Sequence, residues 1–151
     1  MSEQSTTQPR IVAAEHRVAS PAPGRRQLEV LWRFENGSGV TLYVLIDQPL
    51  TTRVADPLVL DHSASEPQLP VEANRRADFE IIAVPAGGVA ERRMRYHLSL
   101  PAAFGEARVV GRFGYSHAPP DGGWEAAQNR RKVAQWQSLA DSEPFVAAFG
   151  S

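Results

Sequence analysis

Asp61, His62 and Ser63 are contiguous and supply the three side-chain types of a serine-hydrolase triad. Neighbouring side chains on an extended chain point in opposite directions, whereas a triad needs three side chains that converge in one hydrogen-bonded relay. The sequence therefore favours a surface loop at these residues over a catalytic centre. Ligand binding in the loop stays open as a hypothesis, because long loops often carry binding residues.

The histidines do not have the spacing of a metal site. The chain has 4 of them, and no two form an H-x-H or HExxH pair. A zinc site would need three or four ligands to converge from distant strands, so we expect no metal. The chain has no cysteine, which excludes disulfides and thiolate catalysis. The alternative hypothesis of function is a small-ligand-binding or hydrolytic site near His62 and His117, with Asp61 or Asp121 as its carboxylate.

Ser38 is flanked by two glycines and is the other candidate nucleophile. A nucleophile elbow has the pattern G-x-S-x-G between a strand and a helix, whereas Ser38 lies between two strand-like runs. Turn chemistry is the better interpretation, because Asn, Gly and Ser favour tight turns. The glycosylation sequon that begins at Asn36 carries little weight, since the N-terminal segment does not resemble a signal peptide. We therefore expect no catalytic residue and no cofactor.

Arginines alternate along two predicted strands, with Arg93 and Arg95 on one and Arg112 on the other. If these strands are neighbours, the guanidinium groups would form a stripe that could hold phosphate or an acidic partner. A solvated face balanced by Glu91 and Glu106 is the simpler interpretation, because the formal net charge is only -1.

The elements that position these residues follow from apolar periodicity. The run Gln27–Glu35 alternates apolar and polar residues, which predicts a half-buried strand. The run Val40–Ile46 is apolar on both faces, which predicts a strand buried centrally or covered by a loop or a partner. The Asn-Gly-Ser-Gly sequence between them predicts that the stretch Gln27–Asp47 is a β-hairpin. Tyr43 and Leu45 on the second strand therefore need a cover, either a partner or the chain's own loops and C-terminal phenylalanines.

Other segments complete an all-β prediction. The segment 61–76 is predicted to be a long surface loop, and residues 1–9 a disordered tail before the domain 10–151. The sequence of residues 124–140 is compatible with both helix and strand. We favour a short helical turn near 124–129 and a final strand within 132–140. About seven to eight strands without alternating helices predict a single antiparallel β-sandwich of immunoglobulin-like type, with a barrel as the alternative. The further predicted strands are Ile11–Val18, Leu58–Leu60, Asp78–Val84, Val89–Leu100 and Arg108–Ser116.

Four short motifs occur in an order that resembles uncharacterised bacterial intracellular immunoglobulin-like β-sandwich proteins. The resemblance spans roughly Leu28 to Phe145 and implies architecture and a bacterial source, but no site residue. The Cys-Trp-Cys arrangement of antibody domains is absent. The motifs are Phe34-Glu35-Asn36, Tyr43-Val44-Leu45 with Pro49-Leu50, Leu98-Ser99-Leu100-Pro101, and Arg112-Phe113-Gly114-Tyr115.

Composition limits the classes of partner. The chain has 151 residues, 42% of them hydrophobic, and an isoelectric point near 6.4, so no global field attracts nucleic acid or an anionic membrane. No apolar run reaches the roughly 18 to 20 residues that span a bilayer, so we expect a cytoplasmic protein. The leading hypothesis is a non-enzymatic protein-interaction or assembly module that binds a partner, or a second copy, through an edge strand or the 61–76 loop. The candidate partner-binding residues are Tyr43, Leu45, Arg93, Arg95 and Arg112.

Overall fold

The computed structural model describes residues 8–47, 52–54, 56–62, 79–99, 105–117 and 138–149. Within these ranges the chain forms ten strands and no helix, which confirms the all-β prediction. None of the described segments contains a helix that is long and apolar enough to cross a membrane. The strands are β1 (Arg10–Ala22), β2 (Arg25–Glu35), β3 (Leu42–Asp47), β4 (Thr52–Arg53), β5 (Leu58–Asp61), β6 (Phe79–Val84), β7 (Val89–Ser99), β8 (Glu106–Ser116), β9 (Ser138–Asp141) and β10 (Phe145–Ala148).

The strands form two sheets that pack around one hydrophobic core. The first sheet has the order β1-β2-β7-β4, and the second has the order β10-β8-β3-β6, with β5 and β9 also paired to β8. Most pairs are antiparallel, but β4 runs parallel to β7 and β5 runs parallel to β8. The predicted helical turn near 124–129 and most of the 61–76 loop lie outside the described residues. The predicted closing strand within 132–140 overlaps β9 at residues 138–140.

The predicted hairpin between Gln27 and Asp47 is wrong. β2 pairs with β1 and β7 in the first sheet, whereas β3 pairs with β6 and β8 in the second sheet. The chain from β6 to β7 makes the same crossing in the opposite direction. In the first sheet Glu35 at the end of β2 pairs with Val89 at the start of β7, and in the second sheet Leu42 at the start of β3 pairs with Val84 at the end of β6. The turn residues therefore form a corner at which a two-stranded ribbon passes from one sheet to the other.

A tight hairpin occurs instead between β1 and β2. The connection is the two residues Pro23 and Gly24, and Gly24 has a φ of 73°, which favours glycine. β1 continues to Ala22, past the predicted end at Val18 and through Pro21. β1 is an edge strand, where the missing N–H of a proline is tolerated, and the register shifts between Ala19 and Ala22.

The core is built on the alternation that the sequence shows in β2. Trp32 and Phe34 are fully buried, and both rings meet the ring of Phe113 edge to face, at centroid distances of 5.3 and 5.0 Å. Burying an aromatic side chain of this size stabilises the fold by about 2 to 3 kcal/mol. Gly111 lies under the indole, and a Cβ at that position would be 2.6 Å from Cη2 of Trp32. The inter-sheet contact therefore requires glycine at residue 111.

The C-terminal residues dock on the body, as the sequence predicts. β9 and β10 lie end to end along β8, and Phe149 beyond them is fully buried. Phe145 lies between the sheets, 4.7 Å from the ring of His16 on β1. At the other terminus only Gln8 and Pro9 of the predicted tail 1–9 are described, and Pro9 is buried.

Candidate functional site

Arg93 and Arg95 lie on the outer face of the first sheet, where they form ion pairs. Arg93 Nη2 is 3.3 Å from Glu15 Oε1, and Arg95 Nη2 is 3.5 Å from Glu29 Oε2. Glu29 also pairs with Arg17 on β1, at 3.1 Å. The face is solvated and mixed in charge. Of the two predicted carboxylates, Glu91 lies on it and pairs with Arg33, at 3.2 Å, whereas Glu106 lies on β8 in the second sheet. Exposed pairs of this kind contribute only about 0 to 1 kcal/mol each.

Arg112 lies on the second sheet, so the predicted arginine stripe does not form. Its strand, β8, and the strand of Arg93, β7, belong to different sheets. Arg112 makes two bonds to Asp141 on β9, with Nε 2.8 Å from Oδ1 and Nη2 3.3 Å from Oδ2. These hydrogen bonds raise the pKa of Arg112 above its usual value. The guanidinium group therefore adds a side-chain link between β8 and β9, which already pair through their backbones.

Tyr43 and Leu45 alternate on β3 with three buried residues, and they are neighbours of β6 and β8. Tyr43 is half-buried and lies opposite Ala83 and Ser116. The register places Leu45 opposite Ile81 and Gly114. Phe145 packs against Trp32, at 6.0 Å, on the inner side of the second sheet, whereas Tyr43 lies on its outer side.

The outer face of the second sheet differs in chemistry from that of the first. Three of its apolar side chains are strongly exposed, Val59 at 38%, Leu139 at 45% and Val146 at 53%, and the ion pairs Arg112–Asp141 and Arg108–Asp56 lie among them. Exposed apolar patches rimmed by polar residues commonly mark interaction sites. We call this surface the apolar face. It comprises Tyr43, Val59, Ile81, Ala83, Val110, Leu139 and Val146.

One side of the two-sheet body is closed and the other ends at β6. On the closed side the backbone N–H of Glu143, between β9 and β10, donates to the carbonyl of Ile11 on β1, at 2.9 Å. On the opposite side β6 pairs with β3, and no other described strand lies beside it. The backbone groups on the outer edge of β6 are thus a place where an additional strand could pair.

The corner between the sheets is held by Asn36, which in the sequence has the pattern of a turn residue and of a glycosylation sequon. Asn36 is 3% exposed, and its side-chain nitrogen lies 2.8 Å from the carbonyl of Val40 and 3.0 Å from that of Val84. Its Oδ1 accepts the backbone N–H and the hydroxyl of Ser38, at 3.0 and 2.7 Å. Asn36 thus joins the β2–β3 crossing to the β6–β7 crossing and positions β6 at the edge. Its burial leaves the sequon nitrogen inaccessible.

His62 is a core residue and not part of a surface loop. It follows β5, is fully buried, and stacks on Phe113 with ring centroids 4.2 Å apart and planes 2° from parallel. Nδ1 lies 3.1 Å from the carbonyl oxygen of Arg112, and Nε2 lies 2.6 Å from the hydroxyl of Tyr96. Trp32 Nε1 donates to the same hydroxyl, at 2.7 Å.

The hydrogen bonds of His62 determine its protonation. A carbonyl oxygen can only accept, so Nδ1 carries the proton and Nε2 accepts from the Tyr96 hydroxyl. Every polar group of this network then has a partner while the imidazole is neutral. Burial lowers the pKa of His62 to about 4 and raises that of Tyr96.

This geometry does not support a ligand-binding or hydrolytic site at His62. The imidazole is fully buried and both of its ring nitrogens are engaged, so it offers no atom to a substrate. His117 packs instead edge-on to Tyr115, at 5.9 Å, and its buried Nε2 has no hydrogen-bond partner among the described residues. Period-two spacing from Leu58 and Leu60 to His62 is the signal that would have placed His62 in the core.

The described residues contain no group of three or more His, Cys, Asp or Glu side chains that could hold a metal ion. Comparison of the chain with protein-family models, with curated proteins and with solved structures finds no match. The geometry of the apolar face and of β6 is therefore the basis of the functional proposal.

Proposed function

We propose that this protein is a non-enzymatic interaction module that accepts an extended segment of a partner protein at the open edge of β6. The observation that carries the proposal is the contrast between the two outer sheet faces. The first sheet presents paired charges such as Arg95 and Glu29, whereas on the second the charged pairs lie along β8 and the edge strand β6 presents Ile81 and Ala83. Addition of a strand supplies backbone hydrogen bonds, while apolar side chains on the sheet face provide selectivity.

The edges of the two sheets differ in how well they resist pairing. β1 has a register shift after Ala13, charged residues at Glu15 and Arg17, and Pro21 near its end. Such features discourage the addition of a strand. β6, with the sequence FEIIAV, has no proline and no basic residue, and Glu80 is its one charged residue. Of these two edges, β6 is the one with fewer protective features, and no strand of the described residues other than β3 lies beside it.

The remaining assignments from the sequence belong to the same proposal. We infer an immunoglobulin-like type, a bacterial source and a cytoplasmic location, and we expect neither nucleic acid nor membrane as a partner. Two packed, mostly antiparallel sheets support the first of these at the level of a β-sandwich. Pairing of β6 with a second copy of the chain is a variant of the same mechanism, and light scattering after size-exclusion chromatography would detect it.

Substitutions on the apolar face test the proposal. Ala83→Lys places a charge beside the β6 edge, and Val146→Lys places the same charge on the same sheet at the closed side. Both side chains are exposed, so both variants should fold. The assay is specific capture of proteins from the source cell. Val146→Lys should capture the same partner as well as the wild type does. Ala83→Lys should capture at least about tenfold less, because a charge that is buried without a partner in the complex costs several kcal/mol.

Hydrogen exchange then locates the contact. In the complex, amides of β6 should exchange more slowly than in the free protein, because their outer N–H groups enter a ladder. A partner that binds both variants alike, or one that protects β1 instead of β6, would contradict the proposed mode of binding. Failure to capture any specific partner with folded wild-type protein would count against an interaction module as such.

A further inference from the structure

A cleft of about 240 Å³ lies at one end of the first sheet, away from the apolar face. It forms where the β1–β2 hairpin meets the last residues of β7, and Arg25 pairs there with Ser99. Two arginines on consecutive positions and a histidine line this space. The lining residues are Pro21, Arg25, Arg26, His97, Leu98 and Ser99.

Arg26 is the unusual member of the cleft because its guanidinium group is buried without a carboxylate. The residue is 7% exposed. Its Nε donates to the carbonyl of Phe149 and its Nη1 to the carbonyl of Arg25, both at 2.9 Å. These bonds use two of the five N–H donors of the group. Carbonyl dipoles satisfy donors but do not neutralise a buried positive charge, which remains costly until an anion approaches.

Most other arginines of the described residues have a carboxylate partner. Seven of them form ion pairs, whereas Arg25 and Arg26 have no carboxylate within ion-pair distance among the described residues. His97 is exposed and lies opposite Gln27 on β2. Within the described part of the chain, Arg25 and Arg26 therefore bring two positive charges without a carboxylate partner to the cleft. The seven paired residues are Arg10, Arg17, Arg33, Arg93, Arg95, Arg108 and Arg112.

We propose that this cleft binds the oxyanion group of a small ligand, a phosphate or a carboxylate. Arg25 and Arg26 supply the positive charge, and planar guanidinium groups match the geometry of both anions. His97 adds a further hydrogen-bonding group at the rim. Pro21 and Leu98 provide an apolar wall for the remainder of a small organic molecule. The site is independent of strand addition at β6, because it lies on the other sheet.

Titration with inorganic phosphate and, separately, with acetate tests the site. Amide signals of ¹⁵N-labelled protein are followed by NMR at constant ionic strength, with chloride as the reference salt. We expect saturable shifts at Arg25, Arg26 and His97 with at least one oxyanion and not with chloride. A response to phosphate alone would identify a phosphate site, and a response to acetate alone a carboxylate site.

Two exposed arginines allow a matched comparison of variants. Arg25→Gln removes a charge from the cleft, and Arg33→Gln removes the same charge from a pair with Glu91 on the same sheet. Loss of one charge-assisted hydrogen bond should weaken oxyanion binding about tenfold or more in Arg25→Gln, while Arg33→Gln binds as the wild type does. His97→Gln is a second exposed variant, and it should also weaken binding.

Two results would overturn the proposal. Equal binding by the wild type, Arg25→Gln and Arg33→Gln would show that the oxyanion acts through general screening or at another place. No response of the folded wild type to either oxyanion would show that the cleft does not bind these anions. Neither result bears on capture of a partner at β6.

Discussion

Lowering the pH from about 7.5 to about 4 should remove about 3 kcal/mol of folding stability through His62 alone. Burial lowers the pKa of His62 from 6.5 to about 4, because the cation loses its hydration inside the core. The unfolded chain binds the proton more readily than the folded chain between these two values. Stability from this group is therefore complete above pH 6.5 and is lost as the pH falls towards 4. The gap corresponds to about 3 kcal/mol, at about 1.4 kcal/mol per pH unit.

His62→Phe isolates this effect. The phenyl ring can still stack on Phe113, and the carbonyl of Arg112 keeps its 2.7 Å bond from the backbone N–H of residue 62. The lost bond to Tyr96 should cost about 1 to 2 kcal/mol near neutral pH. Because the variant has no imidazole to protonate, it should equal or exceed the wild type in stability near pH 4.

Urea unfolding, monitored by tryptophan fluorescence across this pH range, measures the crossover. All other residues are identical in the two proteins, so the difference between wild type and variant reports on residue 62. Tyr96→Phe is the control: it breaks the same hydrogen bond, and also the bond from Trp32 Nε1, but keeps the buried imidazole. Its stability should be lower at every pH and should fall with pH as that of the wild type does. A difference between wild type and His62→Phe that does not change with pH would refute a neutral, buried His62.

Three further predictions concern stability and use the same urea assay. Asn36→Ala should lower the free energy of unfolding by about 2 to 3 kcal/mol, because carbonyls at the corner lose their donor. Asn36→Asp should lower it at least as much, since its carboxylate would face those oxygens. A loss of stability no larger than that of Ser38→Ala would contradict the role of Asn36 at the corner. Gly111→Ala should cost about 1 to 3 kcal/mol by overpacking against Trp32, whereas Gly105→Ala, with nothing within 4 Å, should be nearly neutral. Arg112→Gln should lower stability by about 1 kcal/mol or less, because its ion pair with Asp141 is partly exposed, and the effect should be smaller at high salt. A larger loss of stability that does not depend on salt would show that β9 requires the ion pair.

Strand positions could be predicted from the sequence because side-chain direction alternates along any extended chain. The alternation in β2 and β7 predicted the burial of Trp32 and Tyr96, and both are buried. The same rule applied to Leu58, Leu60 and His62 places the imidazole in the core. Two short elements escaped this reasoning: β4 has only two residues, and β10 was predicted to dock on the body but not as a strand.

Sheet membership is not encoded in any such local pattern. The residues around Asn36 and Gly37 favour a bend, but a bend serves a hairpin and a corner equally well. Likewise, the spacing of Arg95 and Arg112 does not reveal that β7 and β8 belong to different sheets, or that Glu29 and Asp141 lie beside these guanidinium groups. Local sequence is sufficient for an all-β chain, the place of most strands and the side chains that share a face. Which strands are neighbours, which edge stays open and where positive charge is left uncompensated depend on contacts between residues far apart in the chain, and only the folded structure brings these together.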